Sequence, residues 1–324
     1  MIRIAIAGYG NIGKGVEYSV EQNKDMELVA IFSKRDPSSV RPRTKVPVVS
    51  FDEMMDWTDK VDVLILCGGS MADLPVQGPE LAKFFNTVDS FDTHADIPKY
   101  FAAMDDALKG AGKLGLISAG WDPGLFSLNR LYMSAVLPKG ETYTFWGRGI
   151  SQGHSNAIRQ VEGVLDGVQY TCPMDEAVEK VRSGSMPMLT TAEKHLRECF
   201  VVLKDGADSA KVEAEIVSIP NYFAEYKTVV HFISLEELHR DHGKMSHGGF
   251  VIRSGKTGQD NTHLVEYSLK LDSNAEFTSN VLAACARAVY RMAAEGRTGA
   301  ISMFDVAPAQ LSEKSAEELR AEVL

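Results

Sequence analysis

Residues 2–13 read IRIAIAGYGNIG, an apolar run followed at once by a turn that contains three closely spaced glycines. Residues 14–23 then have a helical pattern, and residues 27–32 form a second apolar run. A strand, a glycine-rich turn, a helix and a second strand in this order are typical of a dinucleotide-binding unit. The alternative is a glycine turn with a purely structural role, but such a turn would not need a strand before it and a helix and a second strand after it. We therefore favour nucleotide binding.

Each glycine of the turn has a distinct expected task. Gly8 permits the tight turn, Gly10 lets the backbone approach a pyrophosphate, and Gly13 lets the helix pack close to the strand. The N–H groups at the helix N-terminus would face the phosphates. The predicted cofactor residues of this turn are Gly8, Tyr9, Gly10, Asn11, Ile12 and Gly13.

The end of the second apolar run indicates which dinucleotide is bound. An NAD site usually has an acidic residue there, which holds the ribose 2′-hydroxyl. This chain has Ser33, followed by Lys34 and Arg35. No carboxylate is present to repel a 2′-phosphate, and two cations can pair with it. We therefore predict NADP as the cofactor, although an ordinary solvated turn would also accommodate the two cations.

Further apolar runs of strand length alternate with helical stretches as far as residue 118, which predicts an α/β fold with a Rossmann-type, doubly wound parallel sheet. Ligands bind beyond the carboxyl ends of such strands. Glycines there would let backbone approach the cofactor, and carboxylates could face a substrate. The predicted strand-end residues are Cys67, Gly68, Gly69, Ser70, Met71, Ser90, Phe91, Asp92, Ala119, Gly120, Trp121, Asp122 and Pro123.

The pattern changes after Asp122. A helix is predicted over residues 125–136, and the strand-like runs that follow indicate a mixed, largely antiparallel sheet with helices, an α+β region. Residues 149–154 and 246–249 are predicted as loops, and His195 and Arg197 are expected just before a strand.

Composition excludes several classes of protein. The 324 residues include 34 Lys and Arg against 44 Asp and Glu, a net charge of −10 that argues against nucleic acid as the main partner. The four cysteines are scattered, and His239, His242 and His247 have the spacing of no compact metal site, so no metal is expected. With no signal peptide and no apolar run of membrane-spanning length, we expect no membrane association and a reducing, cytoplasmic location.

Several motifs, in this order along the chain, resemble the meso-diaminopimelate dehydrogenase family. They are GYGNIG at 8–13, FSKR at 32–35, VDSFDTH at 88–94, SAGWDPG at 118–124, TFWG at 144–147, SQGHS at 151–155, MSHGG at 245–249 and LKLDSN at 269–274. The resemblance runs from residue 2 to about residue 308. Ala119 departs from the Thr of the family pattern and Gly68 from a bulkier residue, and neither departure removes a functional group that the reaction needs.

The resemblance implies reversible, NADP-dependent oxidative deamination of meso-2,6-diaminopimelate at its D-centre, with ammonia released, in bacterial lysine biosynthesis. It also implies a metal-free homodimer. The substrate-binding positions that it implies are Asp92, Asp122, Trp121, Trp146, Ser151, Gln152, Gly153, Thr171, Arg197, His247 and Asn274. Asp92 and Asp122 would act at the reacting amine, and Arg197 with Thr171 and His247 would hold the distal carboxylate.

We expect a dinucleotide-binding domain over residues 1–120, with 298–324 packed on it. Residues 121–150 and 250–297 would form a dimerisation region, and residues 151–249 a substrate-binding domain. Two alternatives remain at this point: a nonenzymatic NADP-sensing Rossmann protein, and another Rossmann amino-acid dehydrogenase.

Overall fold

The computed structural model describes residues 1–259 and 261–324, and the side chain of Gln152 also lies outside the description. The described strands are β1 Ile2–Ala7, β2 Met26–Ser33, β3 Val48–Ser50, β4 Val63–Leu66, β5 Thr87–Asp89, β6 Leu114–Leu116, β7 Gly140–Trp146, β8 Gly149–Ile150, β9 Val164–Pro173, β10 His195–Leu203, β11 Lys227–Phe232, β12 His247–Thr257, β13 Asn261–Leu271 and β14 Gly299–Ile301. The described helices are α1 Asn11–Gln22, α2 Leu74–Leu81, α3 Ile97–Ala111, α4 Leu125–Val136, α5 Gln152–Arg159, α6 Asp175–Arg182, α7 Thr191–Lys194, α8 Ser209–Ser218, α9 Leu235–His242, α10 Asn274–Ala294 and α11 Ala316–Val323.

The chain divides into two compact units. The first comprises Met1–Leu128 and Ala275–Leu324, and the second comprises Asn129–Asn274. Nearly all of α10 therefore belongs to the first unit. The assignment of a separate dimerisation region stays a prediction.

The sheet of the first unit has the strand order β14-β6-β5-β4-β1-β2-β3, and every neighbouring pair is parallel. Its order reverses between β1 and β4, as in a doubly wound fold. This confirms the predicted Rossmann-type sheet. Because all strands point the same way, the residues that follow β1, β2, β4, β5 and β6 lie along one edge.

Both faces of this sheet are covered. Along β1, Ile4 and Ile6 pack in one core with residues of α1 and α10, whereas Ala5 and Ala7 pack in the other core with residues of α2 and α3. Burial on both faces explains why β1 is an apolar run without an alternating polar pattern. The core thus holds the strand ends in place from both sides.

The second unit has two sheets, which corrects the prediction of one mixed sheet. The first has the order β11-β10-β9-β8, with β10 and β11 parallel and the other pairs antiparallel. The second, β13-β12-β7, is antiparallel. Strand β9 was missed because Asp166, Gly167 and Gln169 interrupt its apolar pattern.

Two predicted loops are wrong as well. Residues 149–154 form strand β8, the helix N-cap Ser151 and the start of α5, while 247–249 begin strand β12. The backbone of Gly248 and Gly249 has φ of +149° and +147°, and a Cβ at either would collide with a carbonyl of a neighbouring strand. Two glycines therefore mark a close strand approach here, not a loop. His195 and Arg197 lie within β10.

Within the two described ranges, no helix combines the length and the apolar character that crossing a membrane requires.

Candidate active site

The glycine-rich turn of the first unit has the geometry of a phosphate cradle. Gly8 has φ of +97°, and its N–H donates to the carbonyl of Phe32 on β2 at 2.9 Å. Gly10 is the N-cap of α1, carries no capping side chain, and has open space where a Cβ would be. At Gly13 a Cβ would collide with the carbonyl of Gly8. The open backbone at the N-terminus of α1 fits the pyrophosphate of a dinucleotide.

The residues after β2 also fit a 2′-phosphate. Ser33 is buried, and its Oγ accepts the N–H of Arg35 at 3.1 Å. The Arg35 guanidinium donates to the carbonyl of Tyr9 at 2.8 Å, which ties it to the glycine-rich turn. Since a guanidinium has five N–H donors, this single bond leaves others for a phosphate.

Lys34 is held by a residue that the sequence analysis did not single out. Its Nζ lies 3.0 Å from Oδ1 of Asp73, which also accepts from the Gln77 amide at 2.9 Å. The second oxygen of Asp73 accepts the N–H of Gly69 at 3.0 Å, and together these donors lower the pKa of Asp73. Asp73 thus joins the cation after β2 to the loop after β4. No local motif marks this contact, because Lys34 and Asp73 are distant in sequence.

The loops after β4 and β5 are joined directly. The Oγ of Ser70 accepts the N–H of Asp92 at 3.1 Å. Phe91 is buried and its ring stacks on that of Tyr100, with centroids 4.2 Å apart. Of the other predicted residues on these loops, Cys67, Gly68 and Ser90 are half-buried, whereas Met71 is exposed.

The two predicted catalytic carboxylates follow neighbouring strands. Asp92 comes three residues after β5 and is exposed, and Asp122 comes six residues after β6 and is half-buried. Since β5 and β6 pair in parallel, both loops leave the same edge of the sheet. Trp121 is buried beside Asp122, and its ring meets that of Phe126 edge-on. This edge therefore offers two carboxylates beside the predicted cofactor site.

The second unit carries a buried cation with few partners. Arg197 is 7% exposed, its Nη1 donates to the hydroxyl of Thr171, and its guanidinium lies 3.8 Å from the ring centre of Tyr226. Its Nε is buried without a hydrogen-bond partner, and none of the described carboxylates forms an ion pair with it. Burial lowers the pKa of Arg197, but arginine keeps its charge in proteins. A buried positive charge without a counter-ion is a site for an anion.

Two further polar groups lie near this cation. Gln169 is fully buried and donates from Nε2 to the Thr171 hydroxyl at 3.3 Å, and its Oε1 has no partner among the described residues. His154 contacts the Ser151 hydroxyl through Nδ1 at 2.7 Å, and its Nε2 likewise has no described partner. Burial, aided by the charge of Arg197, lowers the pKa of His154 to about 4, so the ring is neutral at pH 7. Neither Gln169 nor Tyr226 was predicted from the sequence to have a role. Gln169 lies two residues before Thr171, a spacing that would have indicated a shared face if β9 had been predicted.

Strand register brings Thr171, Arg197 and His247 together. Thr171 is opposite Arg197 on β10 and opposite Gly149 on β8, and directly opposed residues point to the same face. A Cβ at Gly149 would collide with the ring of His247, so that ring occupies the place of the missing side chain. These three predicted substrate residues therefore share one surface.

The remaining predicted residues of this unit lie around that surface or at its margins. The N–H of Trp146 donates to Nε2 of His195 at 2.9 Å, and the two rings stack. The N–H of Asn274 donates to the carbonyl of Met245 at 2.9 Å. Ser151 caps α5 and Gly153, in the first turn of that helix, is exposed, while the side chain of Gln152, also predicted, is outside the described residues.

In the part of the chain that the structure describes, no group of three or more His, Cys, Asp or Glu residues could hold a metal ion.

Comparisons with known proteins agree on one family. Residues 120–273 match the model of the diaminopimelic acid dehydrogenase C-terminal domain. The chain is 58% identical to the meso-diaminopimelate D-dehydrogenase of Ureibacillus thermosphaericus, over 100% of this chain and 99% of that one.

Solved structures agree over the whole chain. A mutant meso-diaminopimelate dehydrogenase from Clostridium tetani, with diaminopimelate, is 52% identical with a TM-score of 0.95, and both chains are covered completely. An engineered D-amino acid dehydrogenase bound to NADP⁺ is 44% identical with a TM-score of 0.87, over 100% of this chain and 99% of that one.

The double substitution Lys34→Gln and Arg35→Gln tests the cofactor assignment. A charge-assisted hydrogen bond contributes roughly 1.5–3 kcal/mol, so loss of both cations should weaken NADP binding more than tenfold and NAD binding far less. Dissociation constants for both cofactors would be measured by titration. The matched control is Lys24→Gln with Lys83→Gln, two exposed lysines of the same unit. An unchanged NADP-to-NAD preference would reject the assignment.

Proposed function

The chain belongs to the meso-diaminopimelate D-dehydrogenase family, and from this premise we propose how its residues divide the work of the reaction. The enzyme catalyses the reversible, NADP-dependent oxidative deamination of meso-2,6-diaminopimelate at its D-centre, which yields L-2-amino-6-oxopimelate. Neither a nonenzymatic NADP sensor nor another amino-acid dehydrogenase is favoured.

The buried guanidinium of Arg197, which forms no ion pair with any described carboxylate, is the observation that carries the division of roles. Diaminopimelate has a carboxylate and an amine at each end, so one carboxylate is far from the reacting carbon. With Thr171 and His247 on the same surface, Arg197 can hold a carboxylate by charge-assisted hydrogen bonds. We assign this group to the distal L-end. A site built around such a charge rejects substrates that lack the distal carboxylate, because its cation would stay unpaired.

The carboxylates at the sheet edge are assigned to the reacting D-centre. NADP, which the glycine-rich turn and the residues Ser33, Lys34 and Arg35 would hold, would supply the acceptor for the hydride of the α-carbon of that centre. Asp92 and Asp122 hold the ammonium group of the D-centre and orient it for this loss. One of them accepts the proton that the nitrogen must lose and passes it to water. Water then adds to the carbon–nitrogen double bond, ammonia leaves, and the oxo group remains.

The activity is tested by incubating the protein with NADP and either meso- or LL-diaminopimelate. We expect NADPH absorbance to rise with the meso isomer alone, because only that isomer has a D-centre. Equal rates with both isomers, or no reaction with either, would contradict the proposal.

The substitutions Asp92→Asn and Asp122→Asn test the carboxylate roles. Each keeps the shape of the side chain but removes its charge and most of its basicity. We expect each to lower kcat/KM for meso-diaminopimelate by at least ~10²-fold, the lower range for a lost acid–base group. Asp56→Asn, an exposed aspartate of the same unit, is the matched control and should retain full activity. Wild-type kinetics in both site variants would remove these carboxylates from the mechanism.

Arg197→Met tests the orientation of the substrate. Truncating one partner of a buried charge pair costs about 2 kcal/mol or more, so kcat/KM for meso-diaminopimelate should fall at least about 30-fold. A D-amino acid with an apolar side chain has no distal carboxylate to lose, and its relative kcat/KM should rise. Arg182→Met, which removes a surface ion pair with Glu266, should leave kcat/KM unchanged for both kinds of substrate. An equal fall in kcat/KM for both kinds of substrate would mean that Arg197 binds the reacting carboxylate or only stabilises the fold.

We also propose that the enzyme is a homodimer and that the second unit supplies its interface. Helix α4 exposes Leu131, Tyr132 and Val136, and strand β13 at the edge of its sheet exposes Leu264 and Val265. Apolar side chains on an edge strand favour pairing with another chain.

Val136→Asp tests this interface. Val136 is 71% exposed, so the substitution should spare the monomer fold yet bury a charge in the dimer. We expect light scattering at micromolar concentration to give a dimer mass for the wild type and a lower mass for the variant. Val323→Asp is the control, since Val323 has the same exposure, 71%, and lies in the first unit. A monomeric wild-type protein would contradict the proposal.

A cytoplasmic location is part of the same proposal. The thiols of Cys67, Cys172, Cys199 and Cys285 are free, as expected in a reducing compartment.

A further inference from the structure

Asp89, the last residue of β5, is fully buried, and its carboxylate accepts three hydrogen bonds. Its Oδ1 accepts the N–H of Phe91 at 2.9 Å and the N–H of Ser118 at 3.0 Å. Its Oδ2 accepts the hydroxyl of Tyr100 on α3 at 2.9 Å. In addition, its backbone carbonyl accepts the N–H of Ala119 at 2.8 Å. One residue thus bonds to two different loops and one helix.

The two loops are those that carry the proposed catalytic carboxylates. Phe91 directly precedes Asp92, and Ser118 lies four residues before Asp122. A single oxygen of Asp89 therefore accepts from one backbone N–H of each loop. Because the N–H of Asp92 is itself bound to Ser70, the loop after β4 belongs to the same network.

The conformation of the second loop depends on this bond. Ser118 has φ of +56°, in the left-handed region that side chains other than glycine rarely adopt. Such a residue keeps this conformation only where its surroundings hold it. The N–H of Ser118 is held by Asp89, and the N–H of the next residue is held by the Asp89 carbonyl. The path of the chain towards Asp122 is thereby set at its start.

Neither packing nor charge pairing explains an acid at this position. Full burial penalises the carboxylate and raises the pKa of Asp89 to about 6, while the bonds from Ser118, Phe91 and Tyr100 oppose that rise. Among the described residues no cation pairs with it. A buried charge is retained here because an ionised carboxylate can accept all three donors at once.

We propose that Asp89 is the positioning residue that sets the distance between the carboxylates of Asp92 and Asp122. It touches neither substrate nor cofactor. By joining the two loops at one oxygen, it holds both catalytic groups to one geometry. This proposal rests on the proposed roles of Asp92 and Asp122.

The variants Asp89→Ala and Asp89→Asn test the proposal. Alanine leaves two buried N–H groups and one hydroxyl without an acceptor, so the loops should shift. Since a displacement of 1 Å at the reacting groups can cost 10²-fold, we expect kcat to fall by about that factor, with KM for NADP changed less than about threefold. Asparagine keeps an oxygen that can accept both N–H groups, so the kcat of Asp89→Asn should be at least about tenfold higher than that of Asp89→Ala.

Asp25→Asn is the matched control. Asp25 is also a carboxylate of the first unit, but its partner is Arg287 and it lies just before β2, at the opposite end of the strands. This variant should unfold at a lower temperature with kcat unchanged. If the Asp89 variants behave like Asp25→Asn, Asp89 is structural and the proposal is wrong.

A double-mutant cycle separates this proposal from the proposed catalytic roles of Asp92 and Asp122. If Asp89 acts through these two carboxylates, Asp89→Ala should lower kcat by a much smaller factor in the Asp92→Asn and Asp122→Asn backgrounds than in the wild type. Independent, multiplicative losses in both backgrounds would overturn the positioning role alone. If Asp92→Asn and Asp122→Asn leave kcat unchanged, the proposed function of these carboxylates fails, and the positioning proposal fails with it.

Tyr100→Phe serves if the alanine variant does not fold. It removes one donor, and Tyr100 is the sole described titratable side chain that faces Asp89. Loss of that donor weakens the hold on Oδ2 while both N–H bonds to Oδ1 remain, so kcat should fall, but less than in Asp89→Ala, with KM for NADP changed less than about threefold. A kcat equal to that of the wild type would contradict the proposal.

Discussion

The charge of Arg197, buried with no described carboxylate beside it, is the constraint around which the interior of the second unit is arranged. Removing a charge from water costs several kcal/mol unless it is paired or hydrogen-bonded. Thr171 and the ring of Tyr226 compensate part of that cost. Because the cost is only partly offset, binding an anion beside Arg197 is favourable. A carboxylate of the substrate can be that anion.

The backbone makes room for this arrangement. Strand β9 lies between β8 and β10 and puts Thr171 opposite both Gly149 and Arg197. The missing side chain of Gly149 gives space to the imidazole of His247. In the first unit the parallel strands have a comparable effect, because β5 and β6 deliver Asp92 and Asp122 to the same edge. In each unit, strand pairing rather than proximity in sequence decides which groups meet.

The difference between local and non-local information explains what could be predicted. The turn at Gly8, Gly10 and Gly13 follows from neighbouring residues, so its structure and its cofactor class were predicted from the sequence. Helix α4 was predicted with the bounds observed. Strand β9 was not, because the polar residues that serve the site break its apolar pattern. Asp73, Gln169 and Asp89 escaped assignment for a related reason, since their partners are separated from them in sequence or depend on a strand pairing that the pattern does not reveal.

The central proposal is that the substrate binds in one orientation, with its D-centre at the reacting end and its L-end at Arg197. Isotope transfer tests it most directly: meso-diaminopimelate is prepared with deuterium on the α-carbon of either the D-centre or the L-centre, and the NADPH formed is analysed by mass spectrometry. We predict that deuterium passes to the nicotinamide from the D-labelled substrate and that none passes from the L-labelled one. Transfer from the L-centre would contradict the account.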